Sequence, residues 1–284
     1  MNYLNKLPLA AAAIALCAGF TSCSDDDNGP DLPPGGDITE IFPNGLPRVV
    51  DGATIATDTK GRVRQVTDAD GEVTKFDYIA DADKAPTDPD VIITITDKGK
   101  LESQLEVRTN AQGYAEYAHQ TFYENGKVDP TEPAEEWYFA YTADGQLKQL
   151  RRSEGAVAGQ YETTDIEYTG MNISNVTVVN MALPAENATY HVTYGEKPIA
   201  NKGNLMLFDE CFGIDMDEMG AAYYAGLLGK ATASLPARME KVGTANYYTT
   251  FDWELNAKGQ PTRLIATEVT SPTTSSTDFT TFVW

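Results

Sequence analysis

A chain of 284 residues with 42 acidic against 21 basic side chains carries a formal net charge of −21. That balance excludes nucleic acid as a partner, because affinity there comes chiefly from neutralised phosphates. It also disfavours direct docking on anionic lipid head groups and suits a domain kept soluble by self-repulsion. The length allows one large core or two modest ones.

Residues 1–22 read as an export signal. Lys6 and the amino terminus form a positive region, Leu7 to Phe20 an apolar one, and Thr21-Ser22-Cys23 puts a small residue before a cysteine. The apolar run spans roughly 21 Å at 1.5 Å per residue, short of the roughly 20 residues a membrane-spanning helix needs. The Cys23 junction resembles a bacterial lipobox, which implies that Cys23 is diacylated and becomes the mature amino terminus. Ser24, Asp25, Asp26 and Asp27 resemble the acidic signal that sends Bacteroidetes lipoproteins to the outer cell surface. Cys17 lacks both features: Leu16 before it is large, and no acidic run follows. The expectation is an outer-membrane protein held by a lipid anchor and facing the cell exterior.

Of the three cysteines, processing leaves Cys211 as the one without lipid, so no intramolecular disulfide is expected. A lone cysteine is more often a small buried hydrophobe than a nucleophile, and His119 and His191 are the only histidines available as partner bases.

Residues 23–43 read as the lipidated cysteine and a flexible tether. The run Asn28-Gly29-Pro30-Asp31-Leu32-Pro33-Pro34-Gly35-Gly36 has no apolar face to bury. Residues 44–284 then form a single β-meander domain. A polar turn of Asp or Asn followed by Gly recurs at Asp58–Gly61, Asp68–Gly71, Asp97–Gly99, Asn110–Gly113, Asn125-Gly126, Asp144-Gly145 and Asn256–Gly259. Gly supplies the positive φ that tight hairpins need, and Asn or Asp tolerates it. Between the turns the pattern alternates. Tyr247, Phe251 and Trp253 should face the core while Tyr248, Asp252 and Glu254 face solvent. Trp137, Phe139 and Tyr141 share one side, as do Tyr190, Val192 and Tyr194. Such rows more often form core than a stacking platform, because aromatics bury the most area per residue.

One segment breaks the rhythm. Residues 215–229 read as a short α-helix, with Asp215 as N-cap, Glu218 in a capping box and Gly229 as the left-handed stop. Met219, Tyr223 and Leu227 fall on one side, and beyond Glu218 the segment is apolar all round, so it should be enclosed. The fold class is therefore mainly β: a curved antiparallel meander, or barrel-like sheet of many hairpins, enclosing one short helix.

The tether, the Asp/Asn-Gly hairpins and the run Tyr223-Tyr224-Ala225-Gly226-Leu227-Leu228-Gly229-Lys230 with Leu235-Pro236 resemble a Bacteroidetes surface lipoprotein family of unknown function. That resemblance implies a porin-like β fold and assigns no catalytic residues. A membrane-spanning barrel would need strands of about 9 to 11 residues with a continuous lipid-facing apolar band, and few runs here reach that length.

For catalysis, Glu135 and Glu136 beside Trp137, or Asp252 and Glu254 beside Trp253, offer carboxylates near aromatics. Glycoside hydrolysis needs two of them about 5 to 10 Å apart, but alternating acidic strands produce such neighbours by chance. Asp215, Asp217 and Glu218 lack the spacing and glycine of a calcium loop. No catalytic, cofactor or metal residue is assigned. The reading is a non-catalytic binding module for a glycan, a nutrient-system partner or a host molecule. A polysaccharide hydrolase and a structural or assembly component of the outer membrane are the alternatives. An exposed aromatic strip would favour binding, and a cleft with two facing carboxylates would favour hydrolysis.

Overall fold

Short side chains at the turns set the hairpins. The Asp58 carboxylate accepts the backbone N–H groups of Lys60 and Arg62, and Asp68 does the same for Asp70, Gly71 and Glu72. Asn110 and Asn256 repeat the arrangement on the residues two and four positions on. Each Asx side chain thus satisfies donors that the tight turn would leave unpaired.

The computed structural model describes residues 38–284 apart from 81–84, 86 and 154–158. Cys23 and Ser24–Asp27 lie outside the described residues. Helix α1 (Ile38–Ile41) comes first, and Ile41 and Phe42 already belong to the core. The packed unit therefore begins within the stretch whose composition reads as tether, because two adjacent apolar side chains suffice to dock it.

Strands β1 (Val49–Val50), β2 (Ala53–Thr57), β3 (Val63–Thr67), β4 (Val73–Tyr78), β5 (Val91–Asp97), β6 (Lys100–Thr109) and β7 (Ala115–Glu124) follow. After β8 (Lys127–Val128) come β9 (Glu135–Tyr141), β10 (Leu147–Ser153), β11 (Tyr161–Thr169), β12 (Asn172–Asn180) and β13 (Ala188–Thr193). The chain then leaves the wall through β14 (Ile199–Ala200), α2 (Phe208–Phe212), a 3₁₀ segment (Asp217–Tyr223) and β15 (Ser234–Leu235). It returns as β16 (Arg238–Lys241), β17 (Tyr248–Leu255), β18 (Pro261–Ser271) and β19 (Thr274–Val283). Neighbours in the wall pair antiparallel. The two-residue β1 bonds to both β2 and β19, closing a barrel of 16 strands, while β8 only extends the β7 hairpin.

Residue 38 enters at one rim, called the entry rim, which carries the turns at Asp58–Gly61, Asn110–Gly113, Thr142–Gly145 and Asn256–Gly259. The opposite rim, the far rim, carries Asp68–Gly71, Lys98-Gly99 and Asn125-Gly126.

Strand facing follows the alternation. In β17, Phe251 is buried and Trp253 half-buried on the inside, while Asp252 and Glu254 are exposed. Tyr247 lies just before the strand at the far rim, only partly covered, its hydroxyl donating to Glu268 at 2.7 Å. Six strands run to 9–11 residues, longer than the sequence pattern indicates, because several continue through register shifts at bulges. Length alone would thus permit a membrane crossing, but the outer face does not. Lys75, Glu106, Glu136, Arg151, Asp165 and Glu240 occupy outward positions along the strands. Charged side chains on a lipid-facing wall cost about 2–4 kcal/mol each for Arg or Lys near the midplane.

The lumen is filled rather than open. Residues 194–237 leave β13 at the entry rim, reach the far rim near residues 213–218 and return, forming a plug. Phe208, Phe212, Ile214, Met219, Tyr223 and Leu227 are all buried within the single hydrophobic core. The enclosure of Met219, Tyr223 and Leu227 agrees with the sequence pattern, but the α-helix expected over 215–229 does not form. Asp217 takes a left-handed φ of 40°, Gly226 one of 79°, and between them the chain makes a 3₁₀ segment and turns. Asp215 closes a local turn by accepting the N–H of Asp217 (3.0 Å) instead of capping a helix. A segment apolar on all sides takes its shape from the surrounding wall, so propensity is overridden. The regular helix of the plug is the short α2, which ends at the left-handed Gly213.

Candidate functional site

An organised group of outward side chains crosses five strands, β6, β7, β9, β10 and β11. Register brings Arg108 opposite Tyr117, Tyr117 opposite Tyr138 and Tyr138 opposite Arg151, with Tyr161 opposite Ser153 one pleat further along. Tyr117 and Tyr138 have ring centroids 5.3 Å apart, and Tyr138 and Tyr161 6.5 Å apart, both edge to face. The Arg108 guanidinium lies 4.3 Å over Tyr117, and that of Arg151 lies 4.6 Å over Tyr138 and 4.2 Å over Tyr161. Edge-to-face pairs and cation–π contacts each contribute about 0.5–1.5 kcal/mol, which holds the ladder in shape. The Nε atoms of Arg108 and Arg151 are enclosed with no hydrogen-bond partner among the described residues.

Glu136 sits between the first two rings. Its carboxylate accepts the hydroxyls of Tyr138 (2.9 Å) and Tyr117 (3.4 Å). Burial and this neighbouring carboxylate push both phenols above their ordinary range, so they remain donors. The ladder is rigid, partly exposed, aromatic and rich in donors and acceptors. It can stack an apolar ring face while bonding hydroxyls at the edges.

The carboxylates singled out from sequence form no pair facing across a cleft. Glu135 points inward and belongs to the surroundings of Arg152, while Glu136 points outward. Asp252 and Glu254 both face solvent, with Trp253 on the other side donating its Nε1–H to the Pro236 carbonyl (2.8 Å). His191 lies on the outer face with Nδ1 3.0 Å from Asn175 Oδ1, and His119 stands opposite Glu136 beside the ladder. Cys211 is buried in the plug, and desolvation drives its thiol well above the ordinary range, as befits a packing residue. No group of three or more potential metal ligands occurs among the described residues.

A second cluster lies inside the far rim. Arg152, largely covered and 5.1 Å over the buried Trp137 ring, bonds Asp217 at 3.2 Å and Asp215 at 3.5 Å. Burial opposes its charge, but Asp215, Glu135, Asp217 and Glu162 more than offset this. Desolvation and the neighbouring Glu218 carboxylate push the carboxyl of the half-exposed Asp217 up, against the pull of Arg152.

Sequence reasoning missed the ladder because it weighed aromatic rows along single strands. The ladder runs across strands, and its signal is an aromatic or Arg at the outward position of each successive hairpin.

No protein-family model matches the chain, and no curated protein matches it. Solved structures do share the fold. A porin-like protein from Bacteroides uniformis superposes with a TM-score of 0.62 at 16% identity, covering 81% of this chain and 89% of that one. A porin-like protein from Bacteroides vulgatus gives 0.53 at 15% identity, covering 81% and 91%. At this identity the likeness establishes the porin-like β fold.

Proposed function

We propose that this protein is a lipid-anchored outer-membrane barrel that works outside the cell as a non-catalytic binding module for a glycan. The observation that carries this reading is the outward Tyr117–Tyr138–Tyr161 ladder with its arginines and Glu136. Sugar rings present apolar faces and hydroxylated edges, and the ladder offers aromatic area beside groups that donate and accept. The location rests on the leader and on the polar outer wall. A barrel with charges along its strands is better held by an acyl chain than inserted in hydrocarbon. A tether from an anchor at Cys23 joins the barrel at the entry rim, where residue 38 lies, and leaves the ladder wall free to meet large ligands.

Affinity electrophoresis against a polysaccharide panel, run beside a reducing-sugar assay, tests the reading. A retarded band without sugar release is expected. Tyr138→Ala should weaken the retaining interaction about tenfold, the scale of a tyrosine hot spot, without lowering the melting temperature by more than a few degrees. Sugar release would overturn the non-catalytic reading, and unchanged retardation in Tyr138→Ala would remove the ladder from it. The anchor is tested separately. Cys23→Ala should abolish acyl labelling and release the protein from the membrane fraction, and persistent labelling would sink that assignment.

A further inference from the structure

The seam between the first and last strands is closed over only part of its height. Strand β1 pairs with β19 at Val49 opposite Val283 and Val50 opposite Phe282. The turn that follows, with φ of 47° at Asp51 and 82° at Gly52, sends the chain back as β2. The Asp51 N–H makes the last link to β19, donating to the Thr281 carbonyl at 2.8 Å. Beyond Thr281, toward the far rim, β19 pairs with β18 alone among the described residues.

Alternate residues of an antiparallel strand bond to opposite sides. Thr281 and Val283 direct their carbonyls at the β1 side, so Phe279, Thr277 and Ser275 turn their N–H and C=O the same way. No described residue meets them there. The side chains agree. Thr274 to Phe279 are exposed on both faces of the strand, including Ser276 and Asp278, which share the inward face with the buried Phe282.

Proteins commonly blunt such an edge with lysine, proline or a very short strand. Thr274-Ser275-Ser276-Thr277-Asp278-Phe279-Thr280 has no lysine and no proline. Its one charge is Asp278, and Glu268 of β18 stands beside it on the same face, opposite Ser276. Below the closure the turn Asp68–Gly71 packs against Gly52, whose added Cβ would lie 3.1 Å from Ala69 Cβ, and this turn carries the exposed Asp70. On the outer face the half-exposed Phe279 lies under the Arg263 guanidinium at 4.1 Å, and Arg263 is engaged with Glu254 at 3.7 Å.

We propose that the open half of β19 docks an extended basic peptide of a partner protein, which joins the wall as one more antiparallel strand. Backbone bonds to Ser275, Thr277 and Phe279 supply affinity, and cationic side chains on the inward face, opposite Asp278, supply selection. Charge argues for this occupant. Two copies meeting edge to edge would set two Asp278 side chains and two chains of net charge −21 against each other. The chain's own segment before residue 38 is acidic, and Pro30, Pro33 and Pro34 in it have no N–H to donate. The edge lies on β19, apart from the tyrosine ladder of β7, β9 and β11, so it stands independently of the glycan reading.

The probe is a capped, fluorescent peptide of alternating lysine and valine, about seven residues long to match the edge. It is titrated into the intact protein and followed by anisotropy. Binding is expected, with slower hydrogen exchange across residues 274–280 at saturation. With lysines inward, an antiparallel strand turns its valine amides toward β19 and its lysine amides to solvent. N-methylation of the valines should therefore weaken binding about tenfold or more, since each lost bond is worth about 0.5–1.5 kcal/mol. N-methylation of the lysines should leave it unchanged. Thr277→Pro should weaken binding likewise, because it deletes an edge N–H without touching the ladder to β18. Asp278→Lys acts through charge and stands in if the proline variant does not fold. A glutamate–valine peptide should not bind. Failure of the lysine peptide to bind would overturn the proposal. So would binding indifferent to which amides are methylated, which marks attraction to charge alone. A dimer that Thr277→Pro abolishes would also overturn it, by giving the edge to a second copy.

Discussion

Trp137→Ala should destabilise the barrel by about 3–5 kcal/mol, the range for an aromatic truncated in a packed core. Trp137 is fully buried on β9 and stacks on Phe139, ring centroids 6.3 Å apart and planes within 9°. Its Nε1–H is a partner of the buried Gln120, and its ring carries the Arg152 guanidinium. Truncation therefore opens a cavity and also strips a buried amide and a buried cation of their neighbours. Chemical denaturation should show a lower midpoint at an unchanged slope, as expected when stability alone changes. Trp137→Phe separates the contributions. It restores most of the volume but leaves Gln120 Oε1 unpaired, which costs about 1–3 kcal/mol. A loss below about 1 kcal/mol for Trp137→Ala would mean that β9 does not face inward as described.

The same residue shows how far the sequence could be read. That Trp137, Phe139 and Tyr141 share a side follows from the two-residue period of a strand, and the turn glycines and Asx residues place the hairpins that bound it. Both are local properties, carried by a few consecutive residues. Closure is not local. It depends on Val49 and Val50 lying between Ala53-Thr54 and Phe282-Val283, and two residues offer no period to detect. The plug is a different case. Its apolar composition announces burial, but a segment buried on all sides has no wet face, and hence no 3.6-residue stripe to distinguish a helix from 3₁₀ turns. Of the ladder, each member is visible as an alternate outward residue. Their meeting depends on the offset of every hairpin from β6 to β11, including the shifts at Leu147/Gln149 and Arg108/Thr109. Glu136 drew notice as an acid beside Trp137, and the pleat sends it to the opposite face, where it serves Tyr117 and Tyr138.

Gly229→Ala should be the most damaging substitution of a small residue, at about 3 kcal/mol or more. Gly229 has a φ of 79°, and an added Cβ would run into the Gly145 carbonyl oxygen and approach the Tyr141 ring at 3.0–3.1 Å. The left-handed conformation alone costs an L-residue about 1–2 kcal/mol. The carbonyl cannot simply yield, because it accepts the Lys230 N–H within the tight turn that ends at Gly145. Moving it would also strain the bridge between Gln146 and Gly229 and the bonds from Tyr141 to Leu227 O (3.1 Å) and Gln146 to Ala231 O (3.2 Å). These contacts tie the returning plug to the β9–β10 hairpin, each lost bond costing about 0.5–1.5 kcal/mol. Gly243 supplies the control, with a φ of 80° and nothing within 4 Å of its added Cβ. Gly243→Ala should show the backbone strain without the collision, a loss of about 1–2 kcal/mol. Thermal denaturation of the two variants side by side reads the difference. If both lose the same stability, the plug is not seated against Gly145, and the close approach at Gly229 is not what holds the lumen filled.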